Sequence, residues 1–370
     1  MGQESPTRRV SRRAGVLGAV LGLAAAGIAA GVATERYLVR RTKRVEDPFV
    51  DEPFGELPAS RTTVVTTPDG LDLHVELVDP DAEPLDPELP GWTPPADHRR
   101  LPTLVFVHGF CLDMGTFHFQ RRAFTGRFPM VFFDQPGHGR SGLLDSGEYT
   151  LEALAEALDS VLEQVVPDGP VVLVGHSMGG MVIMELAQRW PALLGERVVG
   201  VALLSTSAGN LDTVNFGLPE ILARFRGPLL PVLRTAGPIS AAVVDRARKA
   251  STDLAWLLTR RYGFGGGQPS PALVSYVERM NSATSLGVIA RYVQTLHEHS
   301  RLLALGPLRG VPVLVACGDR DLVTPLEHSW QICQALPGAK LEVLPDSGHV
   351  ALLEYPDLVN GILADFLSKV

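Results

Sequence analysis

A serine placed between an apolar run and a helical pattern is the residue of this sequence best suited to nucleophilic chemistry. Ser177 lies in GHSMG at 175–179, after an apolar run at 171–174 and before a helical pattern that stops ahead of Pro191. A sharp turn from strand into helix strains the backbone of the serine and lifts its hydroxyl above the sheet edge. The same turn aims the N–H of Met178 and the start of the helix at the reacting point. The pattern therefore predicts Ser177 as a nucleophile.

A serine hydroxyl is a weak nucleophile unless a base stands beside it, and the base needs a carboxylate that orients it. In open α/β sheets, these partners come from loops that follow the carboxyl ends of later strands. The apolar run at 311–318 is followed by Asp319 and Asp321, and His349 follows the next strand-like run. The order predicts Ser177 as nucleophile and His349 as base. It leaves both aspartates as candidates for the acid.

The elements around these residues alternate between strand and helix. Runs that are apolar on both faces recur at 103–107, 130–133, 171–174, 198–205 and 311–318, and amphipathic helical patterns such as 151–165 separate several of them. Such runs indicate a mostly parallel sheet covered by helices on both faces. Before them, two β-rich runs around Pro68-Asp69-Gly70 predict a hairpin. The expected fold class is α/β.

The sequence resembles the α/β-hydrolase superfamily over residues 60–370. The family's segments occur in its usual order: HGF at 108–110, DQPGHGRS at 134–141, GHSMGG at 175–180, Gly318 with Asp321 and Pro325, and Gly348-His349 with Glu354 and Pro356. The family places its acid three residues after the glycine, which favours Asp321 over Asp319. The resemblance also implies that the N–H of Phe110 joins that of Met178 in an oxyanion hole. The chemistry needs no cofactor, and nothing in the sequence suggests a metal site.

The alternation of strand and helix stops between 207 and 303, where helical patterns are broken by proline and by Gly265-Gly266-Gly267. We expect a helical cap there, above a core built from residues 61–206 and 304–370. Trp256, Tyr276 and Met280 are candidates for an acyl pocket beneath the cap, and ordinary core packing would suit the same residues equally. The glycine run lacks the Gly-Lys-Ser/Thr ending of a phosphate loop, so we expect a flexible joint.

The histidines at 108, 138, 176, 297 and 299 are predicted to have structural roles and neither catalytic nor metal-binding ones. His297-Glu298-His299 does not predict a metal site, because residues i and i+2 of a helix point apart, and we expect a solvated helix face. His108 and His138 are expected to hold loops through side-chain hydrogen bonds, and His176 is expected to pack beside the serine turn.

The N-terminal part of the chain predicts a membrane anchor. Residues 14–33 contain no charge, and twenty helical residues span about 30 Å, the thickness of the hydrocarbon core of a bilayer. Basic residues flank both ends, so the positive-inside rule gives no orientation. We expect residues 1–44 to form the anchor with its basic flanks, and the acidic, proline-rich residues 45–60 to form a tether. An alternative is a cleaved export signal, because SRRAGVLG at 11–18 resembles a twin-arginine leader.

The charge distribution excludes one class of partner. The whole chain carries −8, and residues 1–44 carry +7, so the remainder carries −15. A protein that binds nucleic acid needs a basic face to neutralise phosphates. The acidic body therefore argues against nucleic acid as a partner.

These features predict a capped serine hydrolase that cleaves a carboxylic ester. The predicted anchor favours a hydrophobic or lipid-like substrate. Within the family, a serine at 177 argues against epoxide hydrolases and dehalogenases, which need an aspartate there. A thioesterase, a carbon–carbon bond hydrolase, a perhydrolase and an acyltransferase would use the same three residues and stay open. A membrane-anchored binding protein with this fold and no turnover is the alternative from a different class. The sequence makes no prediction of oligomeric state.

Overall fold

A computed structural model of the chain describes residues 47–86, 101–209, 211 and 252–370. The predicted anchor at 14–33 lies outside these residues, as do residues 87–100, ahead of the apolar run at 103–107, and 212–251 of the predicted cap. Among the helices that are described, none has the length and apolar character needed to cross a bilayer.

One mostly parallel sheet of eight strands forms the centre of the described structure. The strands are β1 Arg61–Thr66, β2 Asp72–Val78, β3 Thr103–Val107, β4 Met130–Phe133, β5 Val171–His176, β6 Val198–Leu204, β7 Val313–Gly318 and β8 Lys340–Leu344. Their order across the sheet is β1-β2-β4-β3-β5-β6-β7-β8. The pairs β1–β2 and β2–β4 are antiparallel, and every other neighbouring pair is parallel. The predicted α/β fold with a mostly parallel sheet is confirmed.

Helices cover both faces of the sheet. The α-helices are α1 His118–Phe124, α2 Leu151–Val165, α3 Met178–Arg189, α4 Thr252–Gly263, α5 Pro271–Ala283, α6 Leu286–Glu298, α7 Leu326–Ala335, α8 Ala351–Glu354 and α9 Pro356–Leu367. Alternate residues of β5 belong to two separate hydrophobic clusters: Leu173 packs with α2 and α3, whereas Val172 packs with α1 and α9. A strand with both faces buried reads as a continuous apolar run, which is the pattern seen in the sequence.

Local signals account for the ends of the first hairpin and of α2. Gly70 has a φ of +86° in the turn between β1 and β2, a conformation that glycine adopts without strain. The hydroxyl of Thr150 accepts a hydrogen bond from Ala153 N and caps α2. The predicted hairpin is confirmed.

Residues 47–60, here called the strap, pack on the body and do not form the free tether that was expected. The ring of Phe54 stacks on Tyr276 of α5, with centroids 4.6 Å apart and planes 19° apart. The ring of Phe49 lies 5.2 Å from that of Phe119 on α1. The acidic, proline-rich composition suggested a solvated linker, but two aromatic residues within it supply apolar surface that packing removes from water.

The acidic side chains of the strap also have partners on the body. Glu52 accepts hydrogen bonds from His118 Nε2 and Arg122 Nη1, both at 2.7 Å. Asp47 accepts hydrogen bonds from Ser270 Oγ at 2.6 Å and Ala272 N at 2.7 Å, at the N-terminus of α5. A carboxylate there satisfies a free N–H group and complements the helix dipole. The strap therefore links α5, a helix of the predicted cap, to α1 of the predicted core.

We expect Phe54→Ala to lower the free energy of unfolding by about 1–3 kcal/mol, because it removes a half-buried ring that stacks on Tyr276. Val50→Ala is the matched control, since Val50 is 70% exposed in the same segment and should change stability by less than about 0.5 kcal/mol. Urea unfolding followed by fluorescence would measure both. Equal stabilities of the two variants would mean that the strap does not contribute to folding.

Candidate active site

Ser177 occupies a strained turn between β5 and α3. Its φ is 52° and its ψ is −118°, in the half of backbone space that residues other than glycine rarely adopt. Hydrogen bonds hold this conformation: Ser177 N donates to Leu204 O at 2.9 Å, and Ser177 O accepts from Thr206 Oγ1 at 2.6 Å and from Gly180 N at 3.0 Å. The backbone of the turn is therefore fixed from both sides.

The two glycines of the GHSMG segment are required by close packing. A Cβ at Gly175 would lie within 3 Å of Gly180 N and of the Ile183 side chain. A Cβ at Gly179 would overlap the carbonyl of Val107 at the end of β3. A larger residue at either position would push α3 away from the sheet and displace Ser177.

Ser177, His349 and Asp321 meet at the carboxyl ends of β5, β8 and β7. The Nε2 atom of His349 lies 2.9 Å from Ser177 Oγ, and its Nδ1 atom lies 2.8 Å from Asp321 Oδ2. Because a carboxylate only accepts, Nδ1 carries the proton, and Nε2 is free to accept from the serine hydroxyl. All three residues are buried, and Ser177 and His349 retain 7% and 8% exposure.

The environment of Asp321 differs from that of Asp319. Asp321 is buried, and its Oδ1 accepts hydrogen bonds from Val323 N at 2.8 Å and Thr324 N at 2.9 Å. Its Oδ2 lies 2.9 Å from Thr324 Oγ1 in addition to His349. Asp319 is exposed in the turn after β7. Of the two candidate acids, Asp321 is the one that contacts His349.

His176 and Thr324 support this arrangement, and the sequence did not assign either of them this role. His176 Nε2 donates to the backbone oxygen of His349 at 2.9 Å, so the loop before α8 is tied to the serine turn. Burial, with His349 nearby, lowers the pKa of His176 to about 3 and keeps it neutral. Thr324 Oγ1 also lies 2.9 Å from Ser205 O, which connects the aspartate loop to the end of β6. Neither residue belongs to a pattern that marks such contacts in a sequence.

Phe110 and Met178, the predicted oxyanion donors, flank Ser177. Met178 is the first residue of α3, and Phe110 follows Gly109, where a Cβ would lie 3.1 Å from Ser177 Cβ. In the part of the chain that the structure describes, neither backbone N–H has a hydrogen-bond acceptor. Two neighbouring backbone N–H groups without acceptors, beside the serine hydroxyl, suit an incoming oxyanion.

Two neutral histidines fix the loop that carries Phe110. Cys111, at a φ of 59°, donates its N–H to His138 Nε2 at 3.1 Å, and His138 Nδ1 donates to Pro136 O at 3.0 Å. His108 Nε2 accepts from Gln135 N at 2.8 Å, and its Nδ1 donates to Gly109 O at 2.8 Å. Each ring needs one acceptor nitrogen, so each must be neutral. Burial lowers the pKa of His108 to about 4 and that of His138 to about 3.

Trp256, Tyr276 and Met280, the predicted pocket residues, are buried in the hydrophobic cluster that includes α1. Tyr276 Oη donates to Gly115 O at 2.9 Å, and Met280 Sδ lies 3.9 Å from Thr116 Oγ1. Trp256 Nε1 donates to Ser275 Oγ between α4 and α5. These contacts join the cap helices to each other and to the loop after β3. A pocket role for the three residues stays a prediction.

Tyr292 of α6 contacts Phe110 in the loop after β3. Its ring centroid is 5.7 Å from that of Phe110, and its hydroxyl donates to Pro136 O at 2.8 Å. Its side chain is fully buried. Helix α6 of the predicted cap therefore packs directly on the residue whose N–H was predicted to bind the oxyanion.

The expectation of a solvated face at 297–299 is wrong for His299. His299 follows the end of α6 and is 3% exposed, and its Nε2 donates to Ser207 O at 3.0 Å. Burial lowers its pKa to about 4. The helical pattern suggested an exposed position, but the helix ends at Glu298, and the chain then turns His299 inward to meet the loop after β6.

Residues 102–356 match the model of a family described as the alpha/beta hydrolase fold. The chain belongs to the α/β-hydrolase family. The match covers β3 to β8, the turn at Ser177, the described helices α4 to α6 and the loop that carries His349. The resemblance inferred from the segments around Ser177, Asp321 and His349 is therefore confirmed at the level of the family.

Curated relatives and solved structures agree with this assignment. The chain is 30% identical over 276 residues to the dihydrolipoyllysine-residue acetyltransferase component of the acetoin cleaving system of Cupriavidus necator, covering 72% of this chain and 63% of that protein. It is 27% identical over 264 residues to the pimeloyl-[acyl-carrier protein] methyl ester esterase of Nitrosospira multiformis, covering 69% and 90%. A thermophilic esterase from Thermogutta terrifontis superposes with a TM-score of 0.58 at 22% identity, covering 84% of this hydrolase and 99% of that structure.

We expect acidification to destabilise this hydrolase as the pH falls from about 6.5 toward 4. His108, His138, His176 and His299 have folded pKa values of about 4, 3, 3 and 4, all lowered by burial. In this window the unfolded chain binds their protons and the folded chain does not. The contribution of the neutral histidines to the free energy of unfolding is therefore fully present above pH 6.5. Below pH 6.5, each histidine lowers the free energy of unfolding by about 1.4 kcal/mol per pH unit.

Comparing wild type with His138→Gln isolates one of these contributions. Urea unfolding at several pH values between 7.5 and 4.5 gives the free energy of unfolding as a function of pH. The slope of this plot should be smaller in the variant by about 1.4 kcal/mol per pH unit, which corresponds to one proton. The comparison cancels other groups, including Asp113, whose pKa burial and Asp134 raise to about 6 and which acts in the opposite direction. Identical slopes would contradict the neutral, buried state of His138.

Proposed function

We propose that this protein is a serine hydrolase that cleaves carboxylic ester bonds through an acyl-enzyme. The observation that carries the proposal is the hydrogen-bonded chain from Ser177 Oγ through His349 to Asp321, with links of 2.9 and 2.8 Å. These distances lie within the range in which a base removes a proton from a nucleophile. The nucleophile, the base and the orienting carboxylate thus stand in the order that acyl transfer needs.

The proposed reaction has two halves. In the first, Ser177 Oγ attacks the ester carbonyl while His349 Nε2 takes the hydroxyl proton, and the tetrahedral intermediate collapses as His349 gives that proton to the departing alcohol. In the second, water attacks the acyl-serine, His349 accepts a proton from the water, and the carboxylic acid leaves as Ser177 regains its hydrogen. Asp321 keeps the imidazole in the correct tautomer and stabilises its positive charge in both halves.

The N–H groups of Phe110 and Met178 are proposed to bind the oxyanion in both halves. Removing one such donor in a serine hydrolase costs about 3–4 kcal/mol of transition-state stabilisation. Both donors are backbone groups, so their positions depend on the turn at Ser177 and on the loop that His108 and His138 hold. Side-chain substitution of Phe110 would therefore change the shape of the site more than the donor itself.

Two observations support an ester as the substrate. A relative with 27% identity is named as a methyl ester esterase, and its acyl group is carried on a protein. The described helices of the predicted cap are rich in buried apolar side chains, Trp256, Tyr276 and Met280 among them. A hydrophobic acyl group would suit these surroundings, and the apolar segment at 14–33 would hold the enzyme near such substrates.

We expect the full-length protein to hydrolyse p-nitrophenyl esters and to be labelled by a fluorophosphonate. Ser177→Ala should abolish both, because it removes the attacking oxygen and leaves the fold intact. A panel of acyl chain lengths, extended to thioesters, would define the preferred bond. A folded wild-type protein that neither turns over nor accepts the label would favour the binding protein instead.

The two aspartates after β7 give a matched pair of variants. Asp321→Asn should reduce kcat by about 10⁴-fold, because the amide favours the wrong imidazole tautomer. Asp319→Asn should have little effect, since Asp319 is exposed at the turn. Steady-state kinetics on one activated ester measures both, and the opposite ranking would refute the assignment of the acid.

The proposed anchor can be tested on the expressed protein. Residues 14–33 should keep the full-length chain in the membrane fraction after washing with alkaline carbonate, and deletion of 1–44 should release it. Mass spectrometry of the isolated protein would identify its N-terminus. A mature N-terminus that lies beyond residue 33 would support the cleaved twin-arginine signal and refute the anchor.

A further inference from the structure

Glu354, at the end of α8, accepts hydrogen bonds from three backbone N–H groups. Its Oε2 atom accepts from Gly348 N at 2.8 Å and from Gly265 N at 3.1 Å. Its Oε1 atom accepts from Gly266 N at 2.6 Å. The side chain is half-buried, and both carboxylate oxygens are used.

These donors belong to two parts of the chain with different tasks. Gly348 immediately precedes His349, in a segment we call the histidine loop, residues 346–350. Gly265 and Gly266 lie between α4 and α5, in a segment we call the cap loop, residues 263–267. One carboxylate therefore bridges the loop of the candidate base and a loop of the cap. The cap loop was expected to be a flexible joint, and the described structure instead packs it against the site.

The two loops also touch directly through their backbones. Val350 N donates to Gly263 O at 2.9 Å. A Cβ at Gly265 would lie 2.6 Å from Gly348 N, and a Cβ at Gly348 would lie 2.5 Å from Gly265 N. Only glycines permit this approach, which explains two of the glycines that no other part of the site requires.

Arg320 adds a further connection between the same loops. Its Nη1 atom donates to Gly265 O at 3.3 Å, and its backbone N donates to Ser347 O at 3.0 Å. Arg320 adjoins Asp321 in the sequence. The loops that carry the acid and the base therefore both contact the cap loop.

We propose that Glu354 is a positioning residue that joins the histidine loop to the cap loop, so that the placement of His349 depends on the cap. A carboxylate suits this task because it only accepts, and all three of its partners are donors. A glutamine would turn an NH₂ group toward at least one N–H, and the bridge would lose that bond. The inference rests on the proposed function in taking His349 as the base.

A residue that only stabilised the fold would lower the melting temperature and leave the kinetics of the folded enzyme unchanged. A positioning residue would instead lower kcat in the folded enzyme and leave KM for a short activated ester nearly unchanged. Misplacing a catalytic group by about 1 Å can reduce the rate about 100-fold. Loss of the Glu354 carboxylate would also speed hydrogen exchange in both loops together, because this one side chain accepts hydrogen bonds from amides of both.

The first test compares Glu354→Gln with Asp357→Asn in the full-length protein. Asp357 is an exposed acidic residue three positions further along the chain, so it controls for the loss of charge. Hydrogen exchange measured by mass spectrometry should be at least tenfold faster in both 263–267 and 346–350 for Glu354→Gln, and unchanged for Asp357→Asn. Faster exchange in neither loop, or in only one of them, would overturn the bridge.

The second test uses a pair of glycines. Gly265→Ala should separate the loops, since its Cβ would meet the backbone of Ser347 and Gly348, whereas Gly267→Ala is the control because nothing lies within 4 Å of its Cβ. We expect kcat to fall about 10- to 100-fold in Gly265→Ala and Glu354→Gln, and to stay near the wild-type value in both controls. Equal kcat values in Gly265→Ala and Gly267→Ala would refute the positioning role.

The two readouts separate this inference from the proposed function. A wild-type protein that hydrolyses no ester and accepts no fluorophosphonate would refute the hydrolase proposal, while exchange in the two loops would still decide whether Glu354 bridges them. Coupled exchange together with an unchanged kcat in Glu354→Gln would leave the bridge in place and refute its role in placing His349.

Discussion

The backbone of Ser177 is the constraint on which the rest of the site depends. A residue other than glycine at φ 52° is held at a cost of about 1–3 kcal/mol, and it persists only where its surroundings fix it. Here the surroundings are the end of β6, through Leu204 and Thr206, and the first turn of α3. Parallel strands end at the same edge of the sheet, so the loops that carry Asp321 and His349 arrive beside this turn. The geometry of the serine is thus a property of the whole sheet.

Neutral, buried histidines form the second level of support. His176 ties His349 to the serine turn, His138 holds Cys111, and His108 joins the loop after β3 to the loop after β4. In His108 and His138 the imidazole donates from one nitrogen and accepts at the other, so each ring bridges two backbone segments. Burial keeps these rings uncharged at neutral pH, and their hydrogen-bonding pattern is therefore fixed.

The sequence predicted those parts of the structure whose signals are local. GHSMG between an apolar run and a helical pattern located Ser177, and the strand-and-turn patterns located the hairpin at 61–78 and the parallel strands. The family pattern chose Asp321 over Asp319, and the structure shows the physical difference between them: one is buried against His349 and the other is exposed. Each of these conclusions depends on a few neighbouring residues.

The features that were missed depend on contacts between distant segments. The strap was predicted to be a tether because its acidic and proline residues outnumber its two aromatic residues, Phe49 and Phe54. In the structure, Arg122 binds its carboxylate at Glu52 and Tyr276 stacks on its ring at Phe54, and both partners come from other elements. His299 seemed exposed by helical spacing, but the helix ends one residue before it. Glu354 was visible only as a member of a family pattern, since two of its three donors, Gly265 and Gly266, lie 89 and 88 positions before it in the chain.

The course of the strap also determines how a mechanical load would enter the domain. Any tension applied to the chain ahead of residue 47 acts first on the bonds of Asp47 at the start of α5 and on the stacked rings of Phe54 and Tyr276. These contacts lie in series before β1, so they must yield before the force reaches the edge of the sheet. Because α5 belongs to the predicted cap, pulling on the N-terminal end would load α5 before it loads the paired strands β1 and β2.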